Sequence, residues 1–500
     1  MYYFFYLLLF CIVGYALVKS EQPPNVVLIV ADDLGWTDVS FHGCDQIKTP
    51  NIDKLAKEGI ILNNYYVQPI CTPTRSALMT GRYPIHTGMQ HGVLLASEPW
   101  GLSLDEKTLP QYLKEMGYAT HAIGKWHLGM FAKEYTPTYR GFDTFYGYYN
   151  GAEDYYYHNV SDMHFPQYSG LDLRKDSNGQ SQPVWTQSGN YSSFVFAEEA
   201  VNVISSQSKE QPLFLYLPFQ NVHFPFEAPQ EWIDKFSFIE DEKRRTFAAM
   251  VALLDDAVRK IYEALEATDM VDNTLIIFTS DNGGRSSQGY ASNFPLRGEK
   301  GKIFEGGVRV PAFINSPLLK KSGVTSMQMM HITDWLPTIV NLAQGKITKE
   351  IDGFDQWKTL QSDVESPRIE ILLNIDDTNH SQEALIVGKW KILIDSMFVD
   401  QWIKAPGYNA SGKATSVVNC GLKPDKTTHC NKIYCLFNLH NDPCEYNDVS
   451  SQYPEIYQQM KNKLEDYKKG MVPSRKLDGD KMADPQLHGN VWTSWKKLTN

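Results

Sequence analysis

The sequence predicts an α/β fold: a large, mostly parallel central sheet between helices, followed by a smaller C-terminal α+β domain with an antiparallel sheet. Three observations carry this. Short apolar runs recur without alternation, as in strands covered on both faces. Helical stretches separate them, and alternation of strand and helix is the pattern of an α/β layer. After about residue 355 the pattern changes to a hairpin, a cysteine cluster and a polar helix.

The elements follow in chain order. The opening MYYFFYLLLFCIVGYALVKS is an apolar run ending in small residues around Val18 and Ser20. It reads as a signal peptide over residues 1–20, although it lacks the usual Lys or Arg near its start. The run is short for a membrane span and no second one follows, so a soluble mature protein without a membrane partner is expected. NVVLIVADDLGW runs from Val26 to Val30 and then meets Asp32 and Asp33. A helix over 105–116, with Leu109, Tyr112, Leu113 and Met116 on one face, stops at Gly117. YATHAIGKWHLG is a shorter strand leading to Lys125 and His127, and PLFLYLPFQNVHFPF runs from Leu213 to Phe219 before His223. A longer helix over 243–267 carries Met250, Leu253, Leu254, Val258 and Ile261. NTLIIFTSDNGG runs from Leu275 to Ser280 and ends at Asp281 and Asn282. These elements are read as one α/β domain over 21–355, leaving 356–500 to the smaller domain. There EALIVGKWKILID predicts a hairpin turning near Gly388 and Lys389, and 454–469 predicts a polar helix. The tail beyond 470 is irregular and shows no evident role.

The 47 Lys and Arg against 58 Asp and Glu give a formal charge of −11, a balance that repels nucleic acid and anionic membrane. Positive charge for an anionic substrate must therefore be concentrated inside a site. N-x-[ST] tripeptides at Asn159, Asn190, Asn379 and Asn409, taken with the leader, predict a glycoprotein of the secretory pathway, lysosomal or secreted. Disulfides are permitted there. Four cysteines cluster as Cys420, Cys430, Cys435 and Cys444. Three pairings are open, the simplest joining Cys420 to Cys430 and Cys435 to Cys444. Cys44 and Cys71 remain, and a disulfide between them is one reading.

In α/β sheets ligands bind beyond the carboxyl ends of the strands. Four separate strand ends thus deliver Asp32, Asp33, Lys125, His127, His223, Asp281 and Asn282 to one edge. Asp32, Asp33, Asp281 and Asn282 offer hard oxygen ligands suited to Ca²⁺ or Mg²⁺. Adjacent carboxylates repel unless a cation lies between them, which argues against simple helix caps. PICTPTRSALMTGRYPIHTG places Cys71 just before a helix, with Thr72 as N-cap, Pro73 in its first position and Gly81 at its exit. A helix N-terminus favours an anion, and Arg75, Lys125, His127, His223 and Lys300 add cationic or proton-transferring groups. Together these describe a pocket for a sulfate or phosphate ester.

CTPTRSALMTGR resembles the sulfatase signature, Cys-x-Pro-x-Arg followed by Leu-Thr-Gly-Arg, with Met79 where Leu is usual. VLIVADDLGW, GKWHLG, RGFDTFYGY, SDNGG, PLRGEK and EGGVRVP also resemble sulfatase blocks in family order. Over about 25–375 the set is most similar to arylsulfatase B-like N-acetylgalactosamine-4-sulfatases. The resemblance implies an alkaline-phosphatase-like sandwich, and Cys71 oxidised to Cα-formylglycine by the formylglycine-generating enzyme before folding. It implies one Ca²⁺ held by Asp32, Asp33, Asp281, Asn282 and the modified Cys71. One hydroxyl of the hydrated aldehyde would attack sulfur, and the alcohol would leave protonated by His223 or Lys300. His127 would deprotonate the second hydroxyl, while Arg75, Lys125 and Lys300 stabilise charge. On this reading Cys44 is a free buried thiol.

Two other readings compete. A phosphatase or phosphodiesterase of the same superfold would use Ser or Thr with paired zinc ions. A non-catalytic protein binding sulfated glycans would have lost Cys71 or an Asp ligand. The rim rather than the sulfate pocket decides the substrate, with Tyr155, Tyr156, Tyr157 and His158 as rim candidates. The resemblance leaves N-acetylgalactosamine 4-sulfate of glycosaminoglycans, a small sulfated metabolite and a plant glucosinolate all open.

Overall fold

Every residue of strand Asn25–Ala31 is buried, and alternate side chains explain its unbroken apolar run. Val27, Ile29 and Ala31 enter a core shared with helices Pro50–Glu58, Ser192–Ser206 and Glu242–Ala267. Val26, Leu28 and Val30 enter a second core, with helices Cys71–Thr80, Leu109–Glu115 and Trp335–Leu342. Burying one such Val or Ile stabilises by roughly 1.5–3 kcal/mol, so both faces of the strand contribute. The predicted sheet between helices is therefore present. The computed structural model describes residues 22–498 apart from 363, 377–381, 396–401, 405–415, 422, 424–428, 431 and 432. The predicted leader and the acceptors Asn379 and Asn409 lie outside the described residues.

The large sheet has ten strands, in the order 324–326, 60–62, 312–315, 274–280, 25–31, 213–218, 119–125, 144–148, 174–177, 180–183. The five central strands from 274–280 to 144–148 run parallel. Their register sets Ala31 opposite Ser280 and Val30 opposite Pro218, so these three carboxyl ends finish at one level. One helix starts later than predicted. Thr108 and Gln111 form a reciprocal capping box, so the helix begins at Leu109 rather than near 105.

The small sheet is antiparallel, in the order 370–376, 382–387, 390–395, 435–438, with the predicted turn at Gly388 and Lys389. Helix Pro454–Lys469 covers it, Met460 and Leu464 packing on Leu372, Leu385, Ile392 and Leu436. Buried Lys391 ties this sheet to the larger body, its Nζ lying 2.9 Å from Glu305 Oε1 and 2.8 Å from Glu445 Oε1. Residues 471–496 then return across the first body. Val472 N–H donates to Ile85 O at 2.8 Å, and fully buried Trp492 donates from its backbone to Leu171 O at 2.9 Å.

The simplest disulfide pairing is corrected. Cys420 bonds Cys444 and Cys430 bonds Cys435, with Cα separations of 5.7 and 5.6 Å. The cause is the sheet. Asp395 N–H donates to Cys430 O at 2.9 Å at the end of a strand whose Leu393 faces Cys435, which sets Cys430 beside Cys435. Cys420 instead joins Cys444 in a cluster with Trp36 and Tyr446. Among the described residues no helix is long and apolar enough to cross a membrane.

Candidate active site

Backbone bonds lock the strand ends together before any side chain acts. Asp32 N–H donates to Asn221 O at 2.8 Å, Val222 N–H to Asp32 O at 2.6 Å, and Asp281 N–H to Ala31 O at 3.0 Å. Asp33 and His127 turn out of their strands with φ of 62° and 60°, a left-handed conformation costly for residues other than glycine. Such strain persists where the surroundings over-determine it, and here it aims two polar side chains from the exits of two strands that flank strand 213–218.

The predicted groups meet in alternating charge. Lys125 Nζ donates to Asp32 Oδ2 at 2.5 Å. Arg75 Nη2 lies 3.4 Å from the same oxygen and 2.7 Å from Asp281 Oδ2. Lys300 Nζ approaches Asp33 Oδ1 and Oδ2 at 2.6 and 2.8 Å. Cys71 Sγ lies 3.7 Å from Asp32 Oδ1, and His223 Nε2 lies 3.7 Å from Asp33 Oδ2. Three carboxylates thus face three fixed cations inside the protein.

Among the described residues, Asp32, Asp33, Cys71 and His223 form the one group of His, Cys, Asp and Glu whose ligand atoms converge, all within 4.8 Å of one another. Asn282 completes it. Its Nδ2 donates to Asp33 Oδ1 at 2.7 Å, whereas its buried Oδ1 has no hydrogen-bond partner. An orphaned buried amide oxygen beside two carboxylates fits an oxygen-seeking cation. Asp281 stands differently. Its Oδ2 accepts from Arg75 Nε and Nη2, and its Oδ1 accepts from Asp33 N–H at 3.3 Å.

Burial and charge divide the protonation states. Burial, reinforced by Asp281, pushes the Asp32 carboxyl up to about 7 despite Lys125 and Arg75. Asp33 is also desolvated, but the Lys300 charge and hydrogen bonds from Lys300 and Asn282 outweigh this and hold it well below the usual carboxylate range. Burial and Asp281 raise the Cys71 thiol to about 12, so as a thiol it is no nucleophile at neutral pH. Burial, helped by Lys125, keeps His127 neutral, and burial with Lys300 does the same for His223.

Neutral His127 has a defined tautomer. Its Nε2 lies 2.8 Å from Leu94 O, which only accepts, so Nε2 carries the proton. Its Nδ1 is buried, unprotonated and without a partner. By the same reasoning His223 donates from Nδ1 to Phe224 O at 2.6 Å and leaves Nε2 free of a proton.

Several expectations change. The helix begins at Cys71, capped by extended Ile70, two residues earlier than predicted, so Cys71 itself occupies the first turn. Thr72 is therefore no cap; its hydroxyl donates to His127 O and accepts from Leu94 N–H, both at 3.3 Å. Cys44 and Cys71 are separate buried free cysteines, which removes the disulfide reading of Cys71. Of the four rim candidates, Tyr155 and His158 are fully buried. Tyr155 Oη donates to Gln220 O and His223 O at 3.1 and 3.0 Å, a support behind His223 rather than a rim contact. Tyr157 is exposed. Asn159 and Asn190 are exposed, as acceptor sites require.

Sequence reasoning missed Leu94, whose contribution is a backbone carbonyl and leaves no mark in residue type. It also missed Gly151 in YYNGAED. A Cβ there would lie 2.7 Å from His127 Cε1 and 2.8 Å from Nε2. Gly151→Ala is expected to turn the imidazole off Leu94 and lower turnover by roughly 10²-fold, the scale of a 1 Å misplacement. Steady-state kinetics beside an unchanged circular dichroism spectrum would check this.

Parallel strands whose ends carry this cluster of carboxylates and cations suit a hydrolase of sulfate or phosphate esters. The sulfatase family model matches residues 24–346, and the chain belongs to that family. Mouse arylsulfatase J is 41% identical over 501 residues, covering 96% of this chain and 82% of that protein. Human arylsulfatase A is 33% identical over 463 residues, covering 88% and 87%. Human N-acetylgalactosamine-6-sulfatase is 30% identical over 498, covering 95% and 89%. The crystal structure of Ps i-CgsB in complex with k-i-k-neocarrahexaose superimposes with a TM-score of 0.76 at 31% identity, covering 94% of this chain and 98% of that one. Membership of the family makes the chain a hydrolase of sulfuric esters and sets aside the phosphatase reading, while the presence of Cys71, Asp32, Asp33 and Asp281 counts against the non-catalytic one.

Proposed function

We propose that the protein hydrolyses sulfate esters of saccharides with a formylglycine made from Cys71 and a single Ca²⁺. The observation that carries this is Cys71 itself: a buried, protonated thiol at the first turn of a helix, 3.7 Å from a carboxylate of the converged ligand group. A thiol so placed is a poor nucleophile, whereas the hydrate of its aldehyde supplies two hydroxyls on one carbon, one to attack sulfur and one whose deprotonation expels sulfate by C–O cleavage. Asp32, Asp33, Asp281 and Asn282 would hold the calcium with the modified residue. Bound there, the ion would lower the pKa of a hydroxyl beside it and offset charge on the sulfuryl oxygens.

The chain's own groups do the rest. Arg75, Lys125 and Lys300 place three positive charges about residue 71, where negative charge grows during transfer. His127, with Nδ1 unprotonated, accepts the proton of the second hydroxyl. Lys300, held protonated by Asp33, is better placed than neutral His223 to deliver a proton to the leaving alcohol.

For the substrate we favour N-acetylgalactosamine sulfate at a glycan end over a small metabolite. The named relatives include an N-acetylgalactosamine-6-sulfatase, and a solved neighbour is in complex with k-i-k-neocarrahexaose. The 4-sulfate is the primary expectation, and glucosinolate the alternative. Passage through the secretory pathway, to lysosome or exterior, is supported by the apolar leader, two disulfides and exposed Asn159 and Asn190. It would bring the chain to the formylglycine-generating enzyme.

Mass spectrometry of residue 71 in active protein tests the central point, with formylglycine expected and an intact thiol throughout contradicting it. Sulfate release from 4-sulfated and 6-sulfated galactosaminoglycan ends, aryl sulfates and glucosinolates separates the substrates. Stripping with EGTA should abolish turnover, and Ca²⁺ should restore it far better than Mg²⁺, which demands stricter octahedral geometry. Added Ca²⁺ should also raise the thermal midpoint of the stripped protein.

A further inference from the structure

The tail beyond 470, which the sequence leaves without a role, runs beside the loop that sets His127. That loop, 94–98, supplies the Leu94 carbonyl to His127 Nε2. It closes on Glu98, whose Oε2 accepts from Leu95 N–H at 2.9 Å and from Trp100 Nε1 at 2.7 Å. Ser97 at its crest is clasped from two sides. The Asp162 carboxylate accepts from Ser97 N–H at 2.9 Å and from its hydroxyl at 3.0 Å. From the tail, Asp480 N–H donates to Ser97 O at 2.8 Å. Gly479 packs so closely that a Cβ would stand 2.6 Å from Ser97 Oγ.

The tail also anchors the second clasp. Asp162 follows strand Asn159–Ser161, which pairs with Ser169–Leu171. Leu171 exchanges backbone bonds with Asn490 and Trp492, and Trp492 Nε1 donates to Val160 O at 2.9 Å. Asp480 is held in turn by Trp495 Nε1 at 3.2 Å and Lys496 Nζ at 2.9 Å.

We propose that residues 471–496 are a positioning strap for the reaction: they pin Ser97 directly and through the 159–171 hairpin, and so fix the Leu94 carbonyl that orients the His127 imidazole. This rests on His127 being the proton acceptor. Among the described residues no hydrogen bond or ion pair joins the strap to the ligand group or the three cations, so loosening it leaves sulfate binding intact and slows turnover.

The test uses the full chain with Gly479→Val, Ser97→Ala and, as reference, His127→Ala, reading kcat and KM for p-nitrophenyl sulfate together with the thermal midpoint. Gly479→Val and Ser97→Ala should each lower kcat by roughly tenfold or more with KM within about twofold, the mark of an interaction felt at the reacting centre. Ser97→Thr, which keeps the hydroxyl, should recover most of the loss. If Gly479→Val fails to fold, Ser97→Ala and its Thr rescue decide the matter alone. Unchanged kcat beside a lowered midpoint would make the strap merely structural and overturn the proposal. Unchanged kcat in His127→Ala would instead sink the role of that histidine, whatever the strap variants do.

Discussion

Cys71→Ala should lower sulfate release by roughly 10⁴-fold or more, the scale seen when a nucleophile is removed from an otherwise intact site. Folding should survive, because the change deletes one buried sulfur and keeps a good helix former in the first turn. Cys71→Ser is the sharper variant. One hydroxyl is able to attack sulfur, but no second hydroxyl on that carbon then expels sulfate. Such a variant should release at most one equivalent of alcohol per chain and stop. Continuous turnover by Cys71→Ser, measured against a stoichiometric burst, would contradict the need for an aldehyde hydrate.

Arg75→Ala should be the most costly substitution for stability. The guanidinium is fully buried and serves Asp281 at 2.7 Å and Asp32 at 3.4 Å, so its loss strands Asp281 without a counter-charge and leaves Asp32 to Lys125 alone. Removing one partner of a buried pair costs about 3–5 kcal/mol, which for a chain of this length is a fall of about 3–5 °C in thermal midpoint. The fall should be greater in EGTA than in Ca²⁺, since a bound cation would restore part of the missing charge. Arg75→Lys should recover little, because an ammonium lacks the planar fork that binds Asp281 through Nε and Nη2 together. Equal destabilisation with and without Ca²⁺ would count against placing the ion beside Asp32.

The strand ends were readable because strands covered on both faces leave an unbroken apolar signal. Val26 to Ala31 fill two cores by alternation, and the first polar residues after them have to emerge at the sheet edge. Residue type also offered Asp32, Asp33, Asp281 and Asn282 as hard oxygen donors, and the structure brings the four side chains together. What stayed hidden is what distant parts of the chain decide. The order of the sheet slots strand 213–218 between 25–31 and 119–125, and no local pattern states this. The Cys430–Cys435 disulfide follows the register of 390–395 against 435–438, and Cys420–Cys444 follows the cluster around Trp36 and Tyr446. Tyr155 looked like a rim aromatic because Tyr suits both roles, and its stacking on Tyr191 turned it inward. The Leu94 carbonyl and the strap work through backbone atoms, which every residue owns alike.

Cys71 is nearly inaccessible in the finished molecule, and the partners that enclose it, Asp281 and Lys300, come from far downstream. A ribosome adding 5–20 residues each second takes about 10–40 s to synthesise the roughly 200 intervening residues. During that interval the cysteine has no native wall to hide behind. If Cys71 is converted to formylglycine as proposed, its oxidation would be a race against translation: slowing elongation should raise the fraction of chains carrying the aldehyde, and a chain that finished too soon would seal its thiol in for good.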